Sequence, residues 1–300
     1  MNKVAGVFFA VFAAVTYGMN PLFGIPLYEE GIHPYSVLFY RFSIAAVLMG
    51  ITAALRRKSF RLPRKYWLWS VIAGVLMALT CLFWFLTFEI MDSGIAAAML
   101  FVYPVMVTLI MWIFFREKQK TVTCIGMVLA VCGVALLCAG DSGGEIPVAG
   151  VVYIMLSALT YAIYIVMVKT TNLRELAPEI LTFYAMIFAV AVFLVPLRMG
   201  ADIQLLDSWK EWGNAIGLAL FPSLCAFLFA AVAINIIGPA KTAILGALEP
   251  VTAVAIGMVV FGESVSLTGF AAIGLIIFAV TLVISEKSNP AEKNKKESQL

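Results

Sequence analysis

Apolar runs of about twenty residues, parted by short polar stretches, fill the chain from Val4 to Ser285. A helix that crosses a bilayer needs about 20 mostly apolar residues. Ten runs meet that measure: roughly 4–27, 35–55, 66–88, 94–115, 121–139, 148–168, 179–198, 212–234, 240–261 and 265–285. None alternates apolar and polar positions as the strands of a membrane barrel do. In lipid every backbone polar group needs an internal partner, so each run is predicted to be helical. Spans three and four, and nine and ten, are joined by only a few residues and are expected to form adjacent hairpins. The stretch 286–300 is polar and rich in Lys and Glu, which predicts a disordered tail.

The runs come in two sets. Val4-Ala5-Gly6-Val7 recurs as Val148-Ala149-Gly150-Val151, and the same shift brings Thr16 and Tyr17 onto Thr160 and Tyr161, and Pro34 and Tyr40 onto Pro178 and Tyr184. Two residues' more shift brings Pro104, Val105 and Glu117 onto Pro250, Val251 and Glu263. One unit is therefore used twice, over 1–140 and 147–285. Each unit holds five spans, an odd number, so the second enters the membrane from the opposite side. The expected fold is all-α integral membrane: ten transmembrane helices as two inverted five-helix repeats. A duplicated, inverted membrane unit points to a substrate path between the halves.

Composition agrees. Apolar residues make up 63% of the chain and charged residues 12%, against about 45–50% and 25% in an ordinary soluble domain. Placing the N-terminus in the cytoplasm puts 17 of the 20 lysines and arginines on the cytoplasmic side. The positive-inside rule then predicts a multi-pass protein of the cytoplasmic (inner) membrane with both termini cytoplasmic. Lys3 and the apolar run after it resemble a signal peptide. The run is too long for one, and Val4–Val7 recurs internally, so a retained first helix is expected. No basic stripe suits nucleic acid. The five cysteines lie in apolar segments without paired spacing, and the single histidine, His33, lies in a loop, so no metal site is expected.

Several local patterns resemble the EamA-type ten-helix members of the drug/metabolite transporter superfamily. They are Tyr17-Gly18-Met19-Asn20 in span one and Pro34 followed by Tyr40-Arg41-Phe42 in span two. Leu248-Glu249-Pro250-Val251 with Phe261-Gly262-Glu263 follows in span nine, with a weaker copy, Tyr103-Pro104-Val105 with Arg116-Glu117, in span four. The resemblance covers nearly the whole chain. It implies a small-molecule carrier, commonly an exporter of amino acids or related metabolites.

The polar residues inside the spans are the site candidates. Arg41 lies about 9 Å into span two, at 1.5 Å per residue, where lipid exposure would cost several kcal/mol. Its fork suits a substrate carboxylate or phosphate; the other readings are snorkelling or a structural ion pair. Its repeat equivalent is Ala185, so the shared fold does not require the charge. Glu249 lies mid-span beside Pro250 and is a candidate for coupling to protons or for meeting a substrate ammonium. Its equivalent is Tyr103. Asn20 precedes Pro21, which removes a backbone donor; Asn20 either repairs the broken turn or binds substrate. Tyr17 and Tyr161, like Tyr40 and Tyr184, are equivalents that either line a cavity symmetrically or pack helices. Trp84 lies too deep for the interfacial belt and reads as a cavity wall. Pro104 and Pro250 are expected to be matched kinks that act as hinges. Glu89 reads as an outer gate or an interfacial residue, and Glu117 and Glu263 as caps of the helices that follow them.

The function expected is secondary transport of small metabolites, with export favoured, by alternating access. There is no Walker-type phosphate loop, hence no nucleotide cofactor, and none of the hydrolase motifs of an embedded enzyme. A uniporter or channel-like facilitator shares nearly every feature. The expected partners are a small-molecule substrate, membrane lipid and protons; oligomeric state leaves no trace in the sequence.

Overall fold

The computed structural model describes residues 3–87, 90, 96, 99–117, 120–139, 147–260 and 267–285. The expectations for Glu89, Glu263 and the 286–300 tail lie outside the described residues. Among the described residues ten apolar helices are present: α1 (Lys3–Glu29), α2 (Pro34–Leu55), α3 (Arg64–Thr87), α4 (Tyr103–Phe115) and α5 (Thr121–Ala139), then α6 (Val148–Thr170), α7 (Pro178–Leu194), α8 (Trp209–Ile237), α9 (Pro239–Val260) and α10 (Leu267–Ser285). This is a multi-pass membrane bundle.

Local chemistry sets the helix ends. Pro34, Pro178 and Pro239 open their helices at positions where a missing N–H costs nothing. α8 starts earlier than its apolar run because Ser208 and Glu211 form a reciprocal capping box. α7 ends at Leu194, before the 198 expected, and the left-handed backbone of Arg198 and Met199 then turns the chain.

The copies interlock. α1 packs along α8, and its counterpart α6 packs along α3; α4 packs on α6, and α9 on α1. α2 pairs with its own counterpart α7, and α5 with α10. The principal cross-copy contacts thus come in mirrored pairs or join equivalent helices, as a pseudo-two-fold axis requires. The packed faces are built of small residues such as Ala10, Ala14, Ala45, Ala73 and Ala78, while Phe8, Ile51, Trp112 and Phe114 face outward. In lipid there is no hydrophobic drive between helices, so close backbone approach is what holds such faces together. At Gly133 a methyl would stand 2.7 Å from the Ile276 side chain, so α5 and α10 meet through glycine. Gly274 faces open space instead and takes no part in that approach.

The two ends of the bundle carry mirrored clamps. At the basic end Lys65 pairs with Glu175 at 2.8 Å, Tyr66 donates to the same carboxylate at 2.9 Å, and Arg56 pairs with Glu179 at 3.0 Å. At the other end the Gln204 side chain accepts from the His33 backbone N–H at 2.5 Å and donates to the Gly31 carbonyl at 3.3 Å, and the Gln204 backbone N–H donates to Ser36 Oγ at 3.1 Å. One clamp is ionic and the other neutral.

Candidate functional site

Three of the ten helices are broken in mid-course, and a fourth, α4, starts at a break. α1 is interrupted at Met19, just before Asn20-Pro21. Pro21 has no N–H for the Tyr17 carbonyl one turn back, and the Asn20 side-chain amide donates to that carbonyl at 2.7 Å instead. α8 widens into a π-helical segment over Leu220–Cys225 around Pro222. Here the orphaned carbonyl is that of Leu218, and the Ser223 hydroxyl donates to it at 2.9 Å. In each helix a polar neighbour replaces the bond that a proline removes.

Arg41 of α2 joins the two repairs. Its Nε donates to Ser223 Oγ at 2.6 Å, Nη1 to Asn20 Oδ1 at 2.8 Å and Nη2 to the Pro222 carbonyl at 3.0 Å. The guanidinium is fully buried, with the Phe42 and Phe85 rings each 5.5 Å away. Among the described residues no carboxylate pairs with it. Arg41, Asn20 and Ser223 therefore form one structural junction of α1, α2 and α8.

The other two breaks are matched. Phe101-Val102 form a turn before α4, and Gly246-Ala247 form one inside α9. Pro104 and Pro250 each fall in the first turn of the helix that restarts after its break. The discontinuity precedes each proline, and the ring caps no kink of its own. At Gly246 a side chain is impossible as the site stands, because the Tyr103 hydroxyl occupies the place of a Cβ.

Between these breaks lies a cavity lined by Tyr17, Tyr103, Tyr161, Tyr164, Phe227, Thr242 and Glu249, among smaller apolar residues. It is narrow, with room for about one water molecule. Tyr17 and Tyr161, the repeat equivalents, stack at 6.2 Å with their planes 12° apart, so they lie against the pseudo-two-fold. Tyr103 leans on Tyr161 at 4.7 Å, and Trp84 meets Tyr17 edge-on at 5.7 Å from outside the lining. Tyr103 donates to the Ala243 carbonyl at 3.1 Å and its oxygen lies 3.5 Å from Glu249 Oε1. Glu249 is 7% exposed. Gly18 lets α1 close on this point: a methyl there would stand 2.6 Å from the Glu249 carbonyl.

The predicted site residues thus divide. Tyr17, Tyr103, Tyr161 and Glu249 line the cavity, with Trp84 behind Tyr17. Arg41 and Asn20 lie in the junction, outside the lining. Tyr40 lies apart, edge-on to Trp212 at 5.7 Å, and Tyr184 donates to the Phe60 carbonyl at 2.5 Å.

The profile of the EamA-like transporter family matches residues 4–139 and 148–285. The chain belongs to that family. Among EamA-like relatives, the uncharacterized transporter YwfM of Bacillus subtilis is 23% identical over 85% of this chain and 87% of its own. The uncharacterized transporter YvbV of the same organism is 24% identical over 94% and 92%. A solved crystal structure superposes with a TM-score of 0.79 at 15% identity, covering 94% of this chain and 98% of that one, which shows a shared fold. The EamA-like membership makes the bundle a membrane transporter with a small-molecule substrate.

Sequence reasoning overlooked four participants in this EamA-like site. Tyr164 follows Tyr161 by three residues and shares its helix face, a spacing that was readable. Gly246 precedes Glu249 by three, which is also readable. Ser223 and Phe227 stand in an unbroken apolar run and carry no signal of their own.

Proposed function

We propose that the chain is a secondary transporter that moves small metabolites, such as amino acids or related compounds, outward across the cytoplasmic membrane by alternating access. The carrying observation is the narrow cavity on the pseudo-two-fold, with Glu249 and stacked Tyr17 and Tyr161 on its walls. Its closeness to the matched breaks of α4 and α9 supports a carrier whose halves rock around a fixed site, over an open channel. On this reading Glu249 takes either a proton or the solute's ammonium, and the breaks before Pro104 and Pro250 are the hinges. The charge asymmetry supports an inner-membrane location with both termini in the cytoplasm.

The test compares metabolites in the medium of cells expressing the wild type or Glu249→Gln at matched membrane levels. A solute released by the wild type and retained by the variant is the expected result. Equal release from both would remove Glu249 from the mechanism, and release from neither would count against export.

A further inference from the structure

The charge character of the cavity wall is one-sided. Among the described lining residues Glu249 is the one carboxylate, and none is a lysine, arginine or histidine. The rest of the polar wall is formed by the rings and phenol oxygens of Tyr17, Tyr103 and Tyr161 and by the Thr242 hydroxyl. Arg41, the nearest candidate to receive an anion, has Nε, Nη1 and Nη2 all engaged by Ser223, Asn20 and Pro222. The Tyr164 hydroxyl is buried in this wall without a hydrogen-bond partner. A buried polar group in that condition calls for a ligand or water to complete it.

A carboxylate placed here would meet a carboxylate and negative π faces, with only phenol and threonine protons to receive it. A cation would meet the ring quadrupoles and Glu249 together, the combination that recognises ammonium groups. We infer that the solute recognised by this cavity is an organic cation, a small primary ammonium whose charge sits between Glu249 and the tyrosines. A zwitterion is disfavoured because its carboxylate has no basic partner on the wall. The inference rests on the reading of the cavity as the transport site and narrows its substrate class.

The test uses the purified full-length chain in detergent and follows thermal stabilisation by methylammonium chloride, with tetramethylammonium chloride as a cation too large for the cavity. Sodium chloride at matched ionic strength is the control, and sodium acetate and glycine are the competing charge types. The expected result is stabilisation by methylammonium and none by acetate, with glycine weaker than methylammonium. Glu249→Gln should weaken the ammonium response about ten- to a hundredfold, the scale of one buried hydrogen bond to a charged group. Tyr164→Phe removes only an unpartnered hydroxyl and should fold even if the first variant does not. It should weaken methylammonium severalfold, and tetramethylammonium should stabilise neither protein.

Stabilisation by acetate equal to that by methylammonium, an undiminished response in Glu249→Gln, or no methylammonium response at all would each overturn the assignment. Counterflow of labelled methylammonium in proteoliposomes separates the two readings. Binding without flux would sink the transport reading and leave the cation site. Flux of glycine or acetate without ammonium binding would sink the cation site and leave transport.

Discussion

Replacing Arg41 by lysine keeps the charge and discards the fork. The guanidinium spans acceptors on two helices: Asn20 on α1, and Ser223 and the Pro222 carbonyl on α8. A lysine ammonium, a compact charge on a flexible stem, reaches about one of the three. At about 1.5–3 kcal/mol for each hydrogen bond to a charged group, losing two costs ~3–6 kcal/mol while the charge stays buried. Arg41→Met loses all three bonds but removes the charge as well. It orphans Asn20 Oδ1 and the Pro222 carbonyl at about 1–3 kcal/mol each, whereas Ser223 keeps its bond to Leu218. Relief of a desolvation penalty of several kcal/mol offsets much of that loss. The predicted order of stability is therefore wild type, then Arg41→Met, then Arg41→Lys. Thermal unfolding of the three purified proteins in one detergent, read by loss of the monodisperse peak on size exclusion, gives the ranking. A lysine variant as stable as wild type, or more stable than the methionine variant, would show that charge alone matters and that the fork does not join α1 to α8.

Two further outcomes are expected. Gly246→Ala sets a methyl on the Tyr103 hydroxyl and should destabilise by about 1–3 kcal/mol as an overpacked site; adding Tyr103→Phe removes the colliding oxygen and should recover part of the loss, and no recovery would mean the clash lies elsewhere. The Lys65 ammonium, followed by the Tyr66 hydroxyl, holds the Glu175 carboxyl below its ordinary value. The contribution of this clamp is then complete above the ordinary carboxylate range and is lost as pH falls through and below it. Unfolding midpoints should fall less on acidification in Glu175→Gln than in wild type, and identical slopes would show that the clamp contributes nothing.

Span number and the duplication were readable because lipid imposes length and because the repeat survives in residues such as Tyr17 and Tyr161. Glu249 and the tyrosines were readable as inward-facing for a related reason: a carboxylate or a matched aromatic inside an apolar span needs a cause. The role of Arg41 was not readable in the same way. Its cost in lipid says only that it faces inward, and whether it meets a substrate or the protein depends on Ser223 and Pro222, some 180 residues later in the chain. Likewise the prolines announce disrupted backbone, but the turn at Gly246-Ala247 that shifts the break ahead of Pro250 follows from Tyr103 occupying the space beside Gly246. Contacts between copies carry no local sequence signature.

The pairing of each helix with the other copy also constrains how the molecule is made. Helices leave the ribosome in order, and α1 to α5 enter the bilayer before α6, α8 and α10 exist. α1 must wait for α8, α3 for α6, and α5 for the last helix synthesised. Until then the small-residue faces of the first half stand open to lipid, or to insertion chaperones. Biogenesis is thus a late, collective closure that completes only when α10 settles on α5. Chains cut short before that step are natural targets for membrane proteases, and two fragments divided at the central loop can still find each other, since the principal seams run between them.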